Sequence, residues 1–496
     1  MHPIKRLASE TAIYGLSSIV GRVLNYLLVP FYTSIFCPAE YGVITEFYAY
    51  AAFLNILYTY GMETAYFRFA AQGQEAHSFN IATSAILSTS FIFSGLLACW
   101  ATSLINWVGY PGCECYVYYL AAILGIDAVL AIPFAQLRLR KQAFFFAGAK
   151  LLQIGLNLLL NFVLLYGLAK IPQAYCPAFL KPLLGGTNTP RGRVGYVFVA
   201  NLIANAALLP LFSKSLMQLK FCLPRQQLRA MLVYAFPLLL MGLAGTVNEM
   251  FSRAMLKYWL PPGFYPGQSN EAILGIFGAC YKLSVFMSLG IQAFRYAAEP
   301  FFFTHAWAKH SPTLFSQVMH GFILVACFIL FAISANLDLL GYLFLRNPAY
   351  RAGIEIVPYL LLAYLWLGVY YNLSIWFKLA GKTYYGLLIT GIGALITLAL
   401  NILLVPHIGY WGSVWATVAS YATMSALCYY WGQKYYPIPY QASHGLFYIL
   451  GTSGLVLIVR SITYTHWVSS VAANLGFTLL FALMLFRLGR SAWRLP

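Results

Sequence analysis

Charged residues are scarce in this chain of 496 residues. Asp, Glu, Lys and Arg together make up 8% of it, whereas soluble globular proteins contain roughly 25%. The hydrophobic fraction is 61%. Together with long, uninterrupted apolar runs, this composition excludes a soluble globular fold and predicts an all-α polytopic membrane protein.

Motifs for catalysis, nucleotide binding and metal binding are also absent. The sequence has two aspartates, no Gly-rich phosphate loop, and no metal-ligand spacing among its His and Cys residues. We therefore predict that the protein is not an enzyme, holds no metal or cofactor, and is not driven directly by ATP. A membrane glycosyltransferase or polymerase is the disfavoured alternative, because the predicted outer loop at 170–193 contains bases but no acid.

Positive charge predominates, with a net charge of +18. The bases lie mainly in short connections between apolar segments, where they set membrane topology, so we predict no nucleic-acid partner. The connections on the side of the two termini hold about twice as many Lys and Arg residues as the opposite side. This bias predicts that both termini are cytoplasmic.

We predict about fourteen membrane spans. They cover residues 9–36, 41–67, 79–105, 116–137, 144–169, 194–217, 229–260, 271–303, 314–341, 354–380, 384–406, 410–432, 444–464 and 466–488.

An internal repeat indicates two halves of equal orientation. Residues 138–161 align with 378–401, and Asn161 falls on Asn401. Chance similarity between apolar helices is the alternative. A parallel repeat predicts a site between the halves near the midplane. The predicted domains are a six-helix N-terminal lobe at 1–220, a six-helix C-terminal lobe at 225–435, and two additional transmembrane helices at 440–496.

A polar stripe runs along the first apolar segment. Its members are spaced by three or four residues, so a helix places them on one face. They are Thr11, Tyr14, Ser18, Arg22 and Asn25. A charge at the membrane centre costs at least about 2.5–3.5 kcal/mol unless it faces water, protein or an anion. The stripe therefore predicts a helix lining a wet cavity; the alternative is an arginine satisfied inside a helical bundle.

Four further bases fall inside predicted spans: Lys150, Arg253, Lys282 and Arg295. Guanidinium groups bind phosphate through two parallel hydrogen bonds, and lysine acts as a mobile point charge. Bases facing one cavity would therefore offset the desolvation of a diphosphate. The alternative for Arg253 and Arg295 is a local ion pair with the Glu four residues away.

Two acids fall at mid-membrane depth, Asp127 and Glu249. Either is a candidate for coupling transport to H⁺ or Na⁺, since intramembrane carboxylates bind protons and cations. The alternative is a counter-ion to Lys150, Arg253 or Lys282.

Residues 15–42 resemble the opening of the polysaccharide transporters of the multidrug/oligosaccharidyl-lipid/polysaccharide (MOP) exporter superfamily. The pattern is a Gly-Arg pair, a Pro, then Pro-x-Glu-Tyr-Gly. The matching residues are Gly21, Arg22, Pro30, Pro38, Glu40, Tyr41 and Gly42. The turn is similar to that of the Wzx-like branch, with MurJ-like lipid II flippases as close relatives.

The resemblance implies a flippase of the bacterial inner membrane. Its substrate would be an undecaprenyl-diphosphate-linked oligosaccharide, moved from the cytoplasmic to the outer leaflet by alternating access for lipopolysaccharide, capsule or exopolysaccharide synthesis. A polysaccharide polymerase and other assembly proteins are the implied partners. The basic cavity residues of such flippases correspond here to Arg22 and Arg253, then Lys150, Lys282 and Arg295. The alternatives are a lipid II flippase and a MATE-like H⁺- or Na⁺-coupled exporter of organic cations.

Overall fold

The computed structural model describes residues 20–70, 74–167, 192–305, 311–462 and 466–492, and these ranges are helical without any strand. The first helices are α1 Leu28–Ile35, α2 Pro38–Thr59, α3 Met62–Ala70, α4 Glu75–Cys99, α5 Ala101–Val108, α6 Glu114–Leu139, α7 Ala143–Phe162, α8 Gly192–Ala206, α9 Leu209–Met217 and α10 Arg225–Trp259. They are followed by α11 Asn270–His305, α12 Ser311–Ala335, α13 Leu337–Phe344, α14 Val357–Leu373, α15 Ile375–Leu379, α16 Tyr384–Ile408, α17 Tyr410–Tyr435, α18 Ala442–Ser461 and α19 Trp467–Ala492. A π-helical turn, Val163–Gly167, extends α7, and a 3-10 helix, Pro348–Ile356, precedes α14.

These helices confirm the prediction of an all-α polytopic membrane protein. Among the described residues, ten helices are long and apolar enough to cross a membrane, and an eleventh span arises if the bent pair α8 and α9 is one span. The predicted spans from the second to the last each coincide with a helix or with consecutive helices. Residues 9–19 of the first predicted span lie outside the described residues.

The helix α17 shows why hydropathy alone undercounts the long helices. It is 26 residues long but is not among the ten. Its Ser413, Thr417 and Ser420 are at most 2% exposed, so its polar face points inward. A helix that satisfies its hydroxyls inside the protein needs less apolar surface than one that faces lipid.

The contacts divide the chain into two compact units, which we call unit 1 and unit 2. Unit 1 comprises Met1–Leu28 with Val43–Thr246, and unit 2 comprises Val29–Gly42 with Val247–Pro496. The division runs through α1 after Leu28, through α2 after Gly42, and through α10, whose residues up to Thr246 belong to unit 1. The lobe boundaries inferred from the sequence repeat stay a prediction.

Aromatic packing between α6 and α9 forms part of the interior of unit 1. The rings of Phe134 and Phe212 lie 4.8 Å apart, within a buried cluster contributed by α6, α7 and α9. The first part of α10 joins this unit through its own contacts. The Arg68 guanidinium lies 4.3 Å from the Tyr234 ring centroid. Such a cation–π contact orients the start of α10 on α3.

The short segment Val29–Gly42 is held in unit 2 by backbone and side-chain contacts. The Thr33 hydroxyl donates to the Phe344 carbonyl at 2.8 Å, and the Tyr350 hydroxyl donates to the Phe36 carbonyl at 2.9 Å. Because each bond satisfies a carbonyl near a helix terminus, the segment is anchored at two points.

The predicted repeat has matching local geometry at two pairs of positions. Lys141 and Gly381 both have left-handed backbone, with φ of 58° and 67°. Asn161 and Asn401, at most 1% exposed, each donate to the carbonyl four residues earlier, at 2.8 and 2.7 Å. The aligned residues therefore occupy equivalent turns and helix positions.

The shared turn predicts opposite effects of substitution in its two copies. We expect Gly381→Ala to destabilise the protein by about 1 kcal/mol, because alanine must adopt the left-handed conformation. No atom lies within 4 Å of the added Cβ, so the effect is conformational rather than steric. Lys141→Gly should raise the melting temperature slightly, measured in detergent. Lys141→Ala is the control, because it removes the charge but keeps the left-handed strain, and it should not raise the melting temperature. An unchanged melting temperature in Gly381→Ala would contradict the shared geometry.

Candidate functional site

The residues singled out by the sequence fall in both units. Unit 1 contains Arg22, Asn25, Asp127 and Lys150, and unit 2 contains Glu249, Arg253, Lys282 and Arg295. We describe each group within its own unit.

The side chains of Arg22 and Asn25 are both exposed. Residues 20–26 are helical, and Gly21 packs against α7 so closely that an added Cβ would lie 2.5 Å from the Ile154 side chain. The close contact between Gly21 and α7 therefore fixes the position of the neighbouring Arg22. The other members of the predicted stripe, Thr11, Tyr14 and Ser18, lie outside the described residues.

A chain of hydrogen bonds runs through unit 1 from half-buried Lys150 to exposed Tyr48. The Lys150 ammonium donates to Gln153 Oε1 at 3.2 Å, and the Gln153 amide donates to Asn205 Oδ1. Asn205 Nδ2 donates to Asn201 Oδ1 at 3.1 Å, and Asn201 Nδ2 donates to the Tyr48 hydroxyl at 3.1 Å. These residues connect α7, α8 and α2 by side-chain dipoles that all point in one direction.

Asp127, on α6, lies close enough to interact electrostatically with both ends of that chain. Its carboxylate interacts with Lys150 and with Tyr48. The Lys150 ammonium also lies 4.3 Å from the centroid of the Phe134 ring. Of the three bases considered as counter-ions for the intramembrane acids, the structure therefore associates Asp127 with Lys150. A half-buried carboxylate beside a run of hydrogen-bond donors is chemically able to hold a proton or a small cation.

Arg253 is the most enclosed of the candidate bases, at 9% exposure. Its guanidinium carbon lies 4.1 Å from the Tyr281 ring centroid, and Nη2 donates to the backbone carbonyl of Glu249 at 3.0 Å. The Tyr281 hydroxyl accepts a 3.0 Å hydrogen bond from Tyr364. The Glu249 side chain is exposed. Arg253 is therefore held by an aromatic ring and a backbone carbonyl.

The other two bases of unit 2 lie at different levels of α11. Half-buried Lys282 interacts electrostatically with Arg253 and Glu249, so it belongs to the same cluster. Arg295 lies 13 residues, or about 20 Å, further along the helix. Its guanidinium carbon is 4.1 Å from the ring centroid of Tyr371 on α14. The side chain of Glu299, its suggested ion-pair partner, lies outside the described residues.

A buried polar core in unit 2 was not anticipated from the sequence. Asn248 Oδ1 accepts hydrogen bonds from Thr397 at 3.0 Å and Ser420 at 3.2 Å, while its Nδ2 donates to the Thr390 carbonyl at 3.1 Å. Asn401 extends the network by accepting from Ser413 at 2.8 Å. The missed signal is the spacing of Ser and Thr along α17, at steps of three and four residues.

Comparison with solved structures shows a shared fold. The lipid II flippase MurJ, in an inward closed conformation, matches with a TM-score of 0.70 and 12% identity over 96% of this chain and 98% of that one. An inward-facing multidrug resistance MATE family transporter of the MOP superfamily matches at 0.56 and 14%, over 86% and 94%. A MOP superfamily transporter from Pyrococcus furiosus, described by a reverse polarity of its binding pocket, matches at 0.51 and 15%, over 87% and 94%. No family model and no curated protein matches the sequence significantly.

Proposed function

We propose that this protein is a flippase that moves an undecaprenyl-diphosphate-linked oligosaccharide from the cytoplasmic to the outer leaflet by alternating access. The observation that carries the proposal is the presence of basic side chains on apolar, membrane-spanning helices of a MOP-like fold. An exposed arginine and a half-buried lysine inside a membrane require an anionic or aqueous environment. A lipid-linked diphosphate supplies the anion, and its polar sugar occupies the aqueous environment.

The exposed Arg22 is the proposed primary contact for the diphosphate, with Asn25 beside it as a hydrogen-bond donor. Lys282 and Lys150 supply mobile charge in their own units, and Arg295 a further planar donor. Arg253 is held by Tyr281 and the Glu249 carbonyl, so we assign it the role of a preoriented cation whose direction is set by the protein. The polyprenyl tail stays in lipid.

Coupling is proposed to use H⁺ or Na⁺ at Asp127 or Glu249. Transport against a gradient needs an ion whose affinity differs between the two access states. Asp127 is supported by its place beside the hydrogen-bond chain of unit 1, and Glu249 by its exposure. In the proposed cellular setting, the bacterial inner membrane, both termini are cytoplasmic and a polysaccharide polymerase consumes the product.

A lipid II flippase is the second candidate, and a specific observation favours it. The match to MurJ covers 96% of this chain, whereas the MATE match covers 86%. Lipid II and the oligosaccharide lipids share the polyprenyl-diphosphate group, so the basic residues serve either substrate. A MATE-like exporter of organic cations is less well supported, because the bases named above would repel its substrate.

Flipping in proteoliposomes tests the proposal. We expect the wild-type protein to move a polyprenyl-diphosphate oligosaccharide, and Arg22→Ala and Lys282→Ala to lose at least about tenfold in rate, since a hydrogen bond to a charged group contributes about 1.5–3 kcal/mol. Arg253→Ala should lose as much if it remains folded, which its melting temperature reports. Lys220→Ala, at an exposed position outside the candidate set, is the control and should flip normally.

The outcomes separate the candidates. Preference for lipid II over other glycan lipids would support the second candidate. Variants that flip like wild type would show that the bases are structural. Export of organic cations under a pH or Na⁺ gradient, without lipid movement, would replace both flippase proposals by the exporter.

A further inference from the structure

A stripe of polar residues on the last helix faces the junction between α12 and α13. Ser470, Asn474 and Thr478 are spaced by four residues along α19 and lie on one face. Asn336 Nδ2 donates to Thr478 Oγ1 at 2.9 Å, and Ser470 Oγ donates to Asp338 Oδ2 at 3.2 Å. Asn474 Nδ2 donates to Ser470 Oγ at 3.4 Å. Five oxygen-bearing side chains of unit 2 are thereby brought together, with Asn336, Ser470 and Asn474 buried and Asp338 exposed.

Two of the amide oxygens in this cluster accept no hydrogen bond from any described residue. They are Oδ1 of Asn336 and Oδ1 of Asn474, on side chains that are 8% and 5% exposed. A buried polar atom left in this way costs about 1–3 kcal/mol, so such atoms indicate a bound species. Asn336 is two residues from Asp338, and Asn474 donates to Ser470, whose hydroxyl donates to Asp338, so both amides belong to the cluster that contains this carboxylate.

The orientation of the Asn336 amide is fixed by its neighbours. Its Nδ2 also donates to the Ala332 carbonyl at 2.8 Å. Thr478 gives its own proton to the Asn474 carbonyl at 2.7 Å, so it can only accept from Asn336. Turning the amide over would bring its oxygen against the Ala332 carbonyl. The free oxygen is therefore a consequence of the packing.

The ion pairs beside the cluster contain two carboxylates and one guanidinium. Arg460 pairs with Glu355 through a short hydrogen bond, and its Nη1 lies 3.7 Å from Asp338 Oδ1. One guanidinium thus stands between two carboxylates. Arg351, from the 3-10 helix, donates instead to the Leu345 carbonyl at 3.1 Å. Asp338 Oδ2, on the side of Ser470, remains available to a further cation.

We propose that Asn336, Asp338, Ser470 and Asn474 bind a small monovalent cation, Na⁺, that fastens α19 to the junction of α12 and α13. Hard cations take oxygen ligands, and Ca²⁺ sites usually supply several carboxylates and six to eight oxygens. A single carboxylate edge with neutral amide and hydroxyl oxygens suits an ion of one charge. The site is separate from the proposed substrate residues and does not depend on the transport function.

Thermal unfolding of the full chain in detergent tests the site directly. At constant ionic strength, we expect the melting temperature to rise by about 3 °C and to saturate as Na⁺ replaces choline, with a smaller effect of K⁺. Hydrogen exchange along α19 should slow over the same range of Na⁺ concentration. Equal melting temperatures in Na⁺, K⁺ and choline would show that the oxygens are merely hydrated and would overturn the proposal.

A matched set of variants locates the effect. Asn474→Leu removes one of the two free oxygens, so it should fold without Na⁺ and lose the response to it. Ser469→Ala, next to the cluster on an exposed face of α19, should keep the full response. A response that persists in Asn474→Leu would place the ion elsewhere, for example at Asp127, and would contradict this site. Because no transport is measured, the result is independent of the flippase proposal.

Discussion

Alanine at Gly42 or Gly275 is expected to destabilise the protein by roughly 3 kcal/mol or more, the largest effect that the structure predicts for so small a change. A Cβ at Gly42 would lie 2.0 Å from the Glu271 carbonyl oxygen, and one at Gly275 would lie 1.8 Å from the Pro38 carbonyl oxygen. Both obstacles are backbone atoms, which no rotamer change can move. The first turn of α2, up to Gly42, must therefore separate from α11 within unit 2.

The measurement is the melting temperature in detergent, with monodispersity on a sizing column as a second readout. Gly245→Ala is the matched control, because Gly245 also lies inside a long helix but has no atom within 4 Å of the added Cβ. Alanine is the better helix former by about 1 kcal/mol, so this variant should melt no lower than wild type. If Gly42→Ala melted like the control, the close crossing of α2 and α11 would be wrong.

The two glycines should also be coupled. Each meets the backbone of the other's helix at one crossing, so the separation forced by the first substitution makes room for the second. We expect the double variant Gly42→Ala, Gly275→Ala to be destabilised by less than the sum of the single changes. Additive effects would indicate two independent contacts.

Asn248→Ala is expected to destabilise the protein by about 2–3 kcal/mol. The change removes the acceptor of the Thr397 and Ser420 hydroxyls and the donor to the Thr390 carbonyl. The Thr397 hydroxyl loses its acceptor, whereas the Ser420 hydroxyl can still donate to the Gly393 carbonyl at 2.9 Å. A buried hydroxyl left without a partner is costly. The loss should appear as a lower melting temperature and faster hydrogen exchange in α16 and α17.

Thr417→Ala is the control for this core. Its hydroxyl is equally buried but donates to the Ser413 carbonyl of its own helix, at 2.8 Å. Losing a bond within one helix leaves the packing between helices unchanged, so a destabilisation below about 1 kcal/mol is expected. Equal effects of the two substitutions would show that the network between helices adds no stability beyond that of its individual bonds.

The helices were predictable from the sequence because an apolar run of about 20 residues has few alternatives to a spanning helix. The aligned turn at Lys141 and Gly381 was predictable for a different reason. Two segments that share basic, aromatic and Asn positions also share the local interactions that end one helix and begin the next. Both inferences depend only on residues that are close in sequence.

Other features depend on contacts between distant residues. Spacing offered a local ion pair with Glu249 as an alternative for Arg253, but it could not show that the guanidinium also stacks on Tyr281 from another helix. The assignment of Val29–Gly42 to unit 2 depends on Phe344 and Tyr350. The polar core around Asn248 combines residues of three helices. No local periodicity specifies which helices meet, so these arrangements required the structure.

The contacts of Val29–Gly42 also impose an order on biosynthesis. The segment is made early, but the carbonyl that Thr33 binds lies 311 residues later in the chain. At about 5–20 residues per second, the ribosome needs about 15–60 s to reach it. Unit 1 likewise lacks part of its packing until the start of α10 has been translated. An aborted chain that ends before Phe344 therefore carries an N-terminal segment without these partners.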